Sequence, residues 1–424
     1  MAQVTALIDG NNFYASCEQS LDPALVGRPV VVLSNNDGCI VARSAEARAL
    51  GIRMGTPYFK ARRELERQNV VVRSSNYALY ADMSQRMMSL LEAHCDDVEI
   101  YSIDEAFGRL RRPNNGALIP WARQLRARVR QNLGLPIAIG LGASKSQAKL
   151  ANRLAKAVPN HAGVFDFGTC HNPDQWLETI AIEDVWGIGR QLAAWCQRRG
   201  ISNARQLRDM PQGELKAKCG VVGLRLQWEL RGYACLPMDL APAAKQETCV
   251  SRSFSQPVTT REELRQSIAT YVVRAAEKLR KQQQRTSAFT IYTRTSPFKP
   301  NFYSRAASRQ LDLPSNDTAV LLQAALPLVD HIFRPHRPLA KAGVLMQHLQ
   351  SIDTLQSHLL VPMSAEQQDK RESLMQTIDQ LNRRYGRGSV HWAACGLEPG
   401  WAMRRDQLSR AATTRLRDIP VVQA

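Results

Sequence analysis

Val4-Thr5-Ala6-Leu7-Ile8-Asp9-Gly10-Asn11-Asn12 opens the chain with a β-prone apolar run, a carboxylate at its end and a turn of glycine and asparagine. That pattern reads as a buried strand delivering Asp9 at its tip. Outward from it, Phe13 to Ser20 reads as a short helix, and Pro29 to Leu33 as a second strand closed by the loop Ser34-Asn35-Asn36-Asp37-Gly38. Ser44 to Gly51 is helical and stopped by its glycine. Tyr77 to Cys95 carries Met83, Met87, Leu90 and Leu91 at helical spacing. Val98 to Ile103 reads as a strand running into Asp104-Glu105. A helix follows around Trp121–Leu133, then a strand from Leu135 to Gly140 and a basic helix from Lys145 to Val158. Strands and helices alternate through residue 165, which predicts an α+β or α/β catalytic core interrupted by one insertion over about residues 10–74.

From about 166 to 234 strand character gives way to short helices. Within this segment Gly187-Ile188-Gly189 separates two helical stretches, and such a glycine pair lets backbone N–H groups approach a phosphate, although it also suits an ordinary turn. Cys235 to Lys245 reads as a linker. Beyond it, Thr248–Phe254, Ala288–Thr295, Ala306–Leu313 and Ala340–Leu349 read as strands, and Arg261–Gln284 and Ala319–Phe333 as helices. The order β-α-β-β-α-β predicts a four-stranded sheet backed by two helices. Arg252, Arg274, Lys278, Arg280, Lys281, Arg285, Arg294, Lys299, Arg305 and Arg309 could follow a phosphate backbone, or those on the helix could simply form its solvated face. Residues 351–424 are polar, with one clear helix around Ala365–Arg384.

A chain of 424 residues suggests about three domains. No basic n-region precedes an apolar core at the start, and no run of about eighteen apolar residues occurs, which disfavours secretion and membrane spanning. Nine cysteines without CxxC spacing read as reduced cytoplasmic thiols. The net charge of +18 points to a polyanionic partner. Its distribution says more: residues 1–110 hold 11 basic against 14 acidic side chains, whereas 245–350 hold 16 against 7. The grip is expected late in the chain, and chemistry that needs carboxylates early.

Asp9 ends one strand and Asp104-Glu105 another. Acids gathered at adjacent strand tips are costly unless cations neutralise them. Two Mg²⁺ ions about 4 Å apart can lower the pKa of an attacking hydroxyl and steady both oxygens of a phosphoryl transfer. Turn-capping acids would have the same spacing, so spacing alone leaves both readings open.

Asp9-Gly10-Asn11-Asn12-Phe13-Tyr14-Ala15-Ser16-Cys17-Glu18, Tyr101-Ser102-Ile103-Asp104-Glu105-Ala106-Phe107, and Gly140-Leu141-Gly142-Ala143-Ser144-Lys145 through Ala155-Lys156 resemble the three core signatures of Y-family, translesion DNA polymerases. Val31 to Cys39 resembles the bacterial UmuC type, the catalytic subunit of DNA polymerase V. The resemblance implies an α+β right-hand polymerase: a ferredoxin-like palm (1–9 and 75–165), small fingers (10–74), a thumb with a helix-hairpin-helix (166–234), a linker (235–246), a βαββαβ little finger (247–348) and a UmuC-type C-terminal region (349–424). It implies a spacious active site without proofreading, acting in the SOS response to DNA damage in the bacterial cytoplasm, at the nucleoid.

Carried over residue by residue, Asp9 and Asp104 would be shared by two Mg²⁺ ions, Glu105 would complete the site at the primer hydroxyl, and the Gly10 carbonyl would add a ligand. Phe13 and Tyr14 fall on nucleotide-binding positions, Tyr14 on the steric gate, whose ring leaves room for hydrogen but not hydroxyl at C2′. Arg48 and Lys156 match the cations that hold the incoming triphosphate. Ala45 departs from the wider family, many members of which carry a triphosphate-contacting tyrosine there; the load would pass to Arg48, Lys156 or Arg43. Gly187 and Gly189 would hold duplex phosphates, with Arg252 and Arg294 on the little finger. Gln356, Leu359 and Leu360 resemble a sliding-clamp-binding peptide. Implied partners are primed template DNA, deoxynucleoside triphosphates, a processed UmuD dimer and RecA, with no membrane. Two other classes remain open at this point: a palm-fold nucleotidyltransferase acting on another substrate, and a DNA-binding scaffold descended from a polymerase.

Overall fold

β1 (Gln3–Gly10) buries residues on both faces, Val4, Ala6 and Ile8 on one and Leu7 on the other, so this strand belongs in the middle of a sheet covered on both sides. The computed structural model describes residues 3–112, 118–241, 243–353, 365–386, 388–397, 400–415 and 418–419. They fall into two compact units, Met1–Pro242 with Asp406–Ala424, and Ala243–Arg405.

In the first unit the chain leaves β1 through α1 (Phe13–Leu21) and builds a separate sheet from β2 (Val30–Leu33), β3 (Ile40–Arg43) and, after α2 (Ala45–Ala49) and α3 (Tyr58–Arg67), β4 (Val71–Ser74). β2 is central, antiparallel to β3 and parallel to β4. Sequence reading found β2 alone of these three: all are four residues long, but β2 is apolar throughout, whereas β3 ends in Arg43 and β4 in Arg73 and Ser74. The chain returns through α4 (Tyr77–Glu92), β5 (Asp97–Ile100), β6 (Glu105–Arg111), α5 (Ile119–Leu133), β7 (Ile137–Gly142), α6 (Lys145–Ala157) and β8 (Val164–Asp166). The large sheet has the order β5-β6-β1-β7-β8, with β1 antiparallel to both neighbours.

Two details fix the site. Val98–Ile103 is not one strand: β5 stops at Ile100, and the Ser102 hydroxyl accepts the backbone N–H groups of Asp104 and Glu105 at 3.3 and 3.0 Å. A side chain that satisfies two backbone donors competes with the ladder and turns the chain, so Asp104 sits in the hairpin and Glu105 begins β6. At Gly140 a Cβ would overlap the backbone of Asn152 on α6, so glycine there lets the helix lie directly on β7. Asn152 locks the contact by donating to the carbonyls of Leu7 and Ala138 at 3.2 and 2.8 Å.

α7 (Pro173–Thr179), α8 (Arg190–Gln197), α9 (Ala204–Asp209) and α10 (Gln212–Leu230) form a helical segment. Gly187 has φ +90, a conformation that only glycine adopts without strain, and Gly189 is the N-cap of α8.

The second unit runs β9 (Thr248–Val258), α11 (Arg261–Lys281), β10 (Gln284–Thr295), β11 (Ser304–Ser315), α12 (Thr318–Ala325), α13 (Val329–Ile332) and β12 (Leu339–Ser351). Its sheet is β11-β10-β12-β9, antiparallel throughout, as the β-α-β-β-α-β pattern predicts. The expected helix Ala319–Phe333 is broken, since Pro327 lies in a 3₁₀ turn (Leu326–Leu328) between α12 and α13 and has no N–H to continue the helix. α14 (Ala365–Tyr385) docks on this unit through a bidentate Arg280–Asp379 pair at 2.7 and 2.8 Å and an Arg285–Glu372 pair at 2.6 Å. Arg280 and Asp379 are only 12% and 11% exposed. Arg280 and Arg285, expected along a phosphate backbone, are therefore committed to the tail helix. Among the described residues no helix is long and apolar enough to cross a membrane.

Candidate active site

Strand register brings the acids together. Asp9 on β1 stands opposite Glu105 on β6, and the Gly10 N–H donates to the Asp104 carbonyl at 2.8 Å. Three acids from two regions of the chain thus share one end of the sheet. Asp104 Oδ1 accepts the Ser102 hydroxyl at 2.7 Å.

α6 lays a row of lysines against them. Lys156 Nζ is 2.5 Å from Asp9 Oδ1, Lys149 Nζ 3.0 Å from Glu105 Oε2, and Lys145 Nζ 2.5 Å from Glu99 Oε2. The row follows from spacing, since positions separated by four and eleven residues lie on one face of a helix. Lys149 also faces the rings of Tyr101, Trp186 and Phe107, at 4.4, 5.3 and 5.7 Å from their centroids. Such contacts fix an ammonium in place. Lys149 was missed by sequence reading, and its helical spacing from Lys145 and Lys156 was the available signal.

Burial pushes the Asp9 carboxyl up to about 7, with Lys156 opposing the shift and the Glu105 carboxyl adding to it. Among the described residues no three His, Cys, Asp or Glu side chains form a ready-made metal cage, and ammonium groups supply the countercharge instead. The residues nevertheless fit a hard divalent cation: the donors are all oxygen, and a buried carboxyl beside a second one is the arrangement such a cation relieves.

Between pH 3.8 and about 7 folded Asp9 keeps a proton that the unfolded chain has released. Stability is therefore lost as pH rises through that window. Asp9→Asn is expected to raise the metal-free melting temperature at pH 8 by several degrees and to leave it unchanged near pH 3. Added Mg²⁺ should narrow the gap by stabilising the parent alone. A melting temperature at pH 8 at or below the parent's would contradict this electrostatic picture.

The other expected residues are placed as follows. Tyr14, on α1, stacks on Tyr80 with centroids 4.4 Å apart and planes at 15°, and meets Tyr77 edge-on. Phe13, at 4% exposure, belongs to the apolar core and packs against Gly10. Arg48 is exposed on α2. Arg43, a candidate to take up the missing tyrosine contact, donates to the Ile52 carbonyl. Arg294 pairs across strands with Lys341 on the sheet face opposite Ile291 and Val344, which are buried against α11. Arg252 does not share that face: it stands opposite buried Ala342, with the parity of Val250 and Phe254, and its charge acts on Tyr271 of α11. Gln356, Leu359 and Leu360 lie outside the described residues.

Residues 8–153 match the impB/mucB/samB family and 245–359 match that family's C-terminal domain. Protein UmuC of Salmonella typhimurium is 41% identical over 418 residues, spanning 98% of this chain and 99% of the relative. The chain belongs to the impB/mucB/samB family. Protein MucB of Escherichia coli, another relative, is 38% identical over 98% of this chain and 99% of its own length. DNA polymerase IV of Bacillus velezensis is 27% identical over 91% of this chain and 92% of its own length. Among solved structures, a Y-family DNA polymerase chimera of Dbh and Dpo4 aligns with a TM-score of 0.63 at 21% identity, covering 82% of this chain and 99% of the chimera. The insertion ternary complex of Dbh DNA polymerase aligns at 0.54 and 22%, covering 81% and 98%. Like these structures, this member of the impB/mucB/samB family has the Y-family polymerase fold. Residues 372–422 match a domain of unknown function, DUF4113.

Proposed function

We infer that this chain is a template-directed DNA polymerase of the UmuC type, which extends primers across damaged template bases in the SOS response. The observation that carries this reading is the meeting of Asp9, Asp104 and Glu105 at one end of the sheet, under a row of lysines, in a chain of the impB/mucB/samB family. A palm-fold enzyme acting on a small nucleotide would gain nothing from the basic second unit. A scaffold that had abandoned chemistry would not need all three acids.

Asp9, Asp104 and Glu105, with the Gly10 carbonyl, would hold two Mg²⁺ ions. When bound, these ions acidify the primer hydroxyl and neutralise charge on the phosphates. The chain's own groups do the rest. Lys156 is placed to exchange the Asp9 carboxylate for a triphosphate oxygen, joining Arg48 in balancing charge on the leaving pyrophosphate. Lys149, gripped by three rings, keeps Glu105 neutralised in the resting protein. Tyr14 bears on C2′ of the incoming sugar. Gly187 and Gly189 offer backbone N–H groups to the duplex, and Gln356, Leu359 and Leu360 a clamp-binding peptide. A processed UmuD dimer and RecA belong to the same reading, in the cytoplasm at the nucleoid.

The test is primer extension opposite an abasic template with Mg²⁺, with and without a RecA filament and processed UmuD. Bypass supports the reading, and no synthesis under any of these conditions overturns it. DNA affinity should fall with salt by a log–log slope of about −0.9 per phosphate neutralised. Arg294→Ala is expected to flatten the slope by about one contact. Arg280→Ala, whose charge is committed to Asp379, should leave it unchanged, and the opposite pattern would place the grip on the other face.

A further inference from the structure

Asp406 begins the C-terminal part that belongs to the same compact unit as Met1–Pro242, and its attachment uses backbone as well as side chains. Ser74, the last residue of edge strand β4, donates its N–H to the Gln407 carbonyl at 2.9 Å and accepts the Gln407 N–H on Oγ at 3.0 Å. Ser74 and Leu408 form a parallel bridge. Asp37 accepts the Asp406 N–H on one oxygen at 2.9 Å and the Ser74 hydroxyl on the other at 2.6 Å. The tail thus pairs, through a single bridge, with the end of the edge strand β4.

The next residue reaches inward. Ser409 Oγ accepts from Asn76, whose own oxygen caps α4, at 3.0 Å and donates to Glu18 Oε1 at 3.1 Å. Glu18 is 3% exposed, and the same Oε1 accepts the Tyr80 hydroxyl at 2.6 Å. Tyr80 is fully buried and carries Tyr14 stacked on its ring. Glu18 and Tyr14 share one face of α1, four residues apart. An unbroken line of contacts therefore runs from the tail through Ser409, Glu18 and Tyr80 to Tyr14. A buried carboxylate needs its lone pairs filled, and a donor lost there leaves the rest of the network to readjust.

We propose that Asp406–Ser409 is a structural part of the sugar-selecting site, with Ser409 and Glu18 as positioning residues that fix Tyr80 and, through it, the plane of Tyr14. The proposal rests on reading Tyr14 as the gate, and assigns a task to the end of the region matched to a domain of unknown function. A gate that rejects one hydroxyl by overlap tolerates little tilt, so a small shift of Tyr80 is felt in selectivity.

The experiment measures kcat/KM for dCTP and CTP opposite template dG with the full chain and its Ser409→Ala, Ser409→Thr and Tyr14→Ala variants. The ratio of the two values cancels the active fraction of each preparation, so partial misfolding does not move it. Ser409→Ala is expected to lower sugar discrimination about threefold to tenfold. Ser409→Thr, which keeps the hydroxyl, should match the parent, and adding Ser409→Ala to Tyr14→Ala should change the ratio no further. If Tyr14→Ala relaxes selection while Ser409→Ala does not, or if the two effects simply multiply, the tail proposal is overturned and the gate stands. If Tyr14→Ala itself leaves the ratio at the parent value, the gate reading fails and the proposal with it.

Discussion

Asp104→Asn is expected to lower primer extension by about a thousandfold or more while leaving affinity for primed DNA within about twofold of the parent. The substitution keeps the shape of the side chain. It also leaves the backbone untouched, and it is the Asp104 carbonyl, not its carboxylate, that anchors the hairpin to Gly10. The Ser102 hydroxyl can serve an amide oxygen as it serves Oδ1. What disappears is one carboxylate among three, and under the proposed reading that carboxylate would help hold the divalent cations where the new phosphodiester bond forms. Extension rates on a primed template, paired with fluorescence anisotropy of the same DNA, separate chemistry from binding. Equal extension by variant and parent would remove Asp104 from the reaction.

Tyr14→Ala is expected to raise ribonucleotide use relative to deoxynucleotide use by about ten- to a hundredfold, the scale of one relieved steric clash. The ring is held on one side by Tyr80 and meets Tyr77 at its edge, so it yields little in the intact protein. Truncation opens the space without touching any acid of the site, and deoxynucleotide incorporation should fall far less than with Asp104→Asn. Single-nucleotide incorporation kinetics with matched ribo and deoxy substrates measure this directly, and unchanged sugar selectivity would return Tyr14 to the role of a core aromatic.

The parts of the molecule legible in the sequence are those set by local pattern. Asp9 follows a β-prone, mostly apolar run and lies one residue before the end of the strand that the run predicts, and the β-α-β-β-α-β order of the second unit appears as read. The hairpin at Ser102 was hidden because Tyr101, Ser102 and Ile103 read as strand residues until the Ser102 hydroxyl claims two backbone donors. Arg280 and Arg285 looked like a phosphate track because their partners, Asp379 and Glu372, come 99 and 87 residues later. Arg252 keeps the parity of Val250 and Phe254 in continuous register with β12, so alternation already places it, and charge alone groups it with Arg294. Ser409 is 391 residues from Glu18, and a hydrogen bond over that distance leaves no periodicity to read.

The most direct measurement is anomalous diffraction from crystals of the full chain with primed DNA, a non-hydrolysable deoxynucleoside triphosphate and Mn²⁺. The expected map has Mn²⁺ peaks bounded by the carboxylates of Asp9, Asp104 and Glu105, with Lys156 moved from Asp9 onto the triphosphate. A bound nucleotide with Lys156 still paired to Asp9, and no anomalous peak beside the three acids, would contradict the assignment of this site to metal-assisted nucleotidyl transfer.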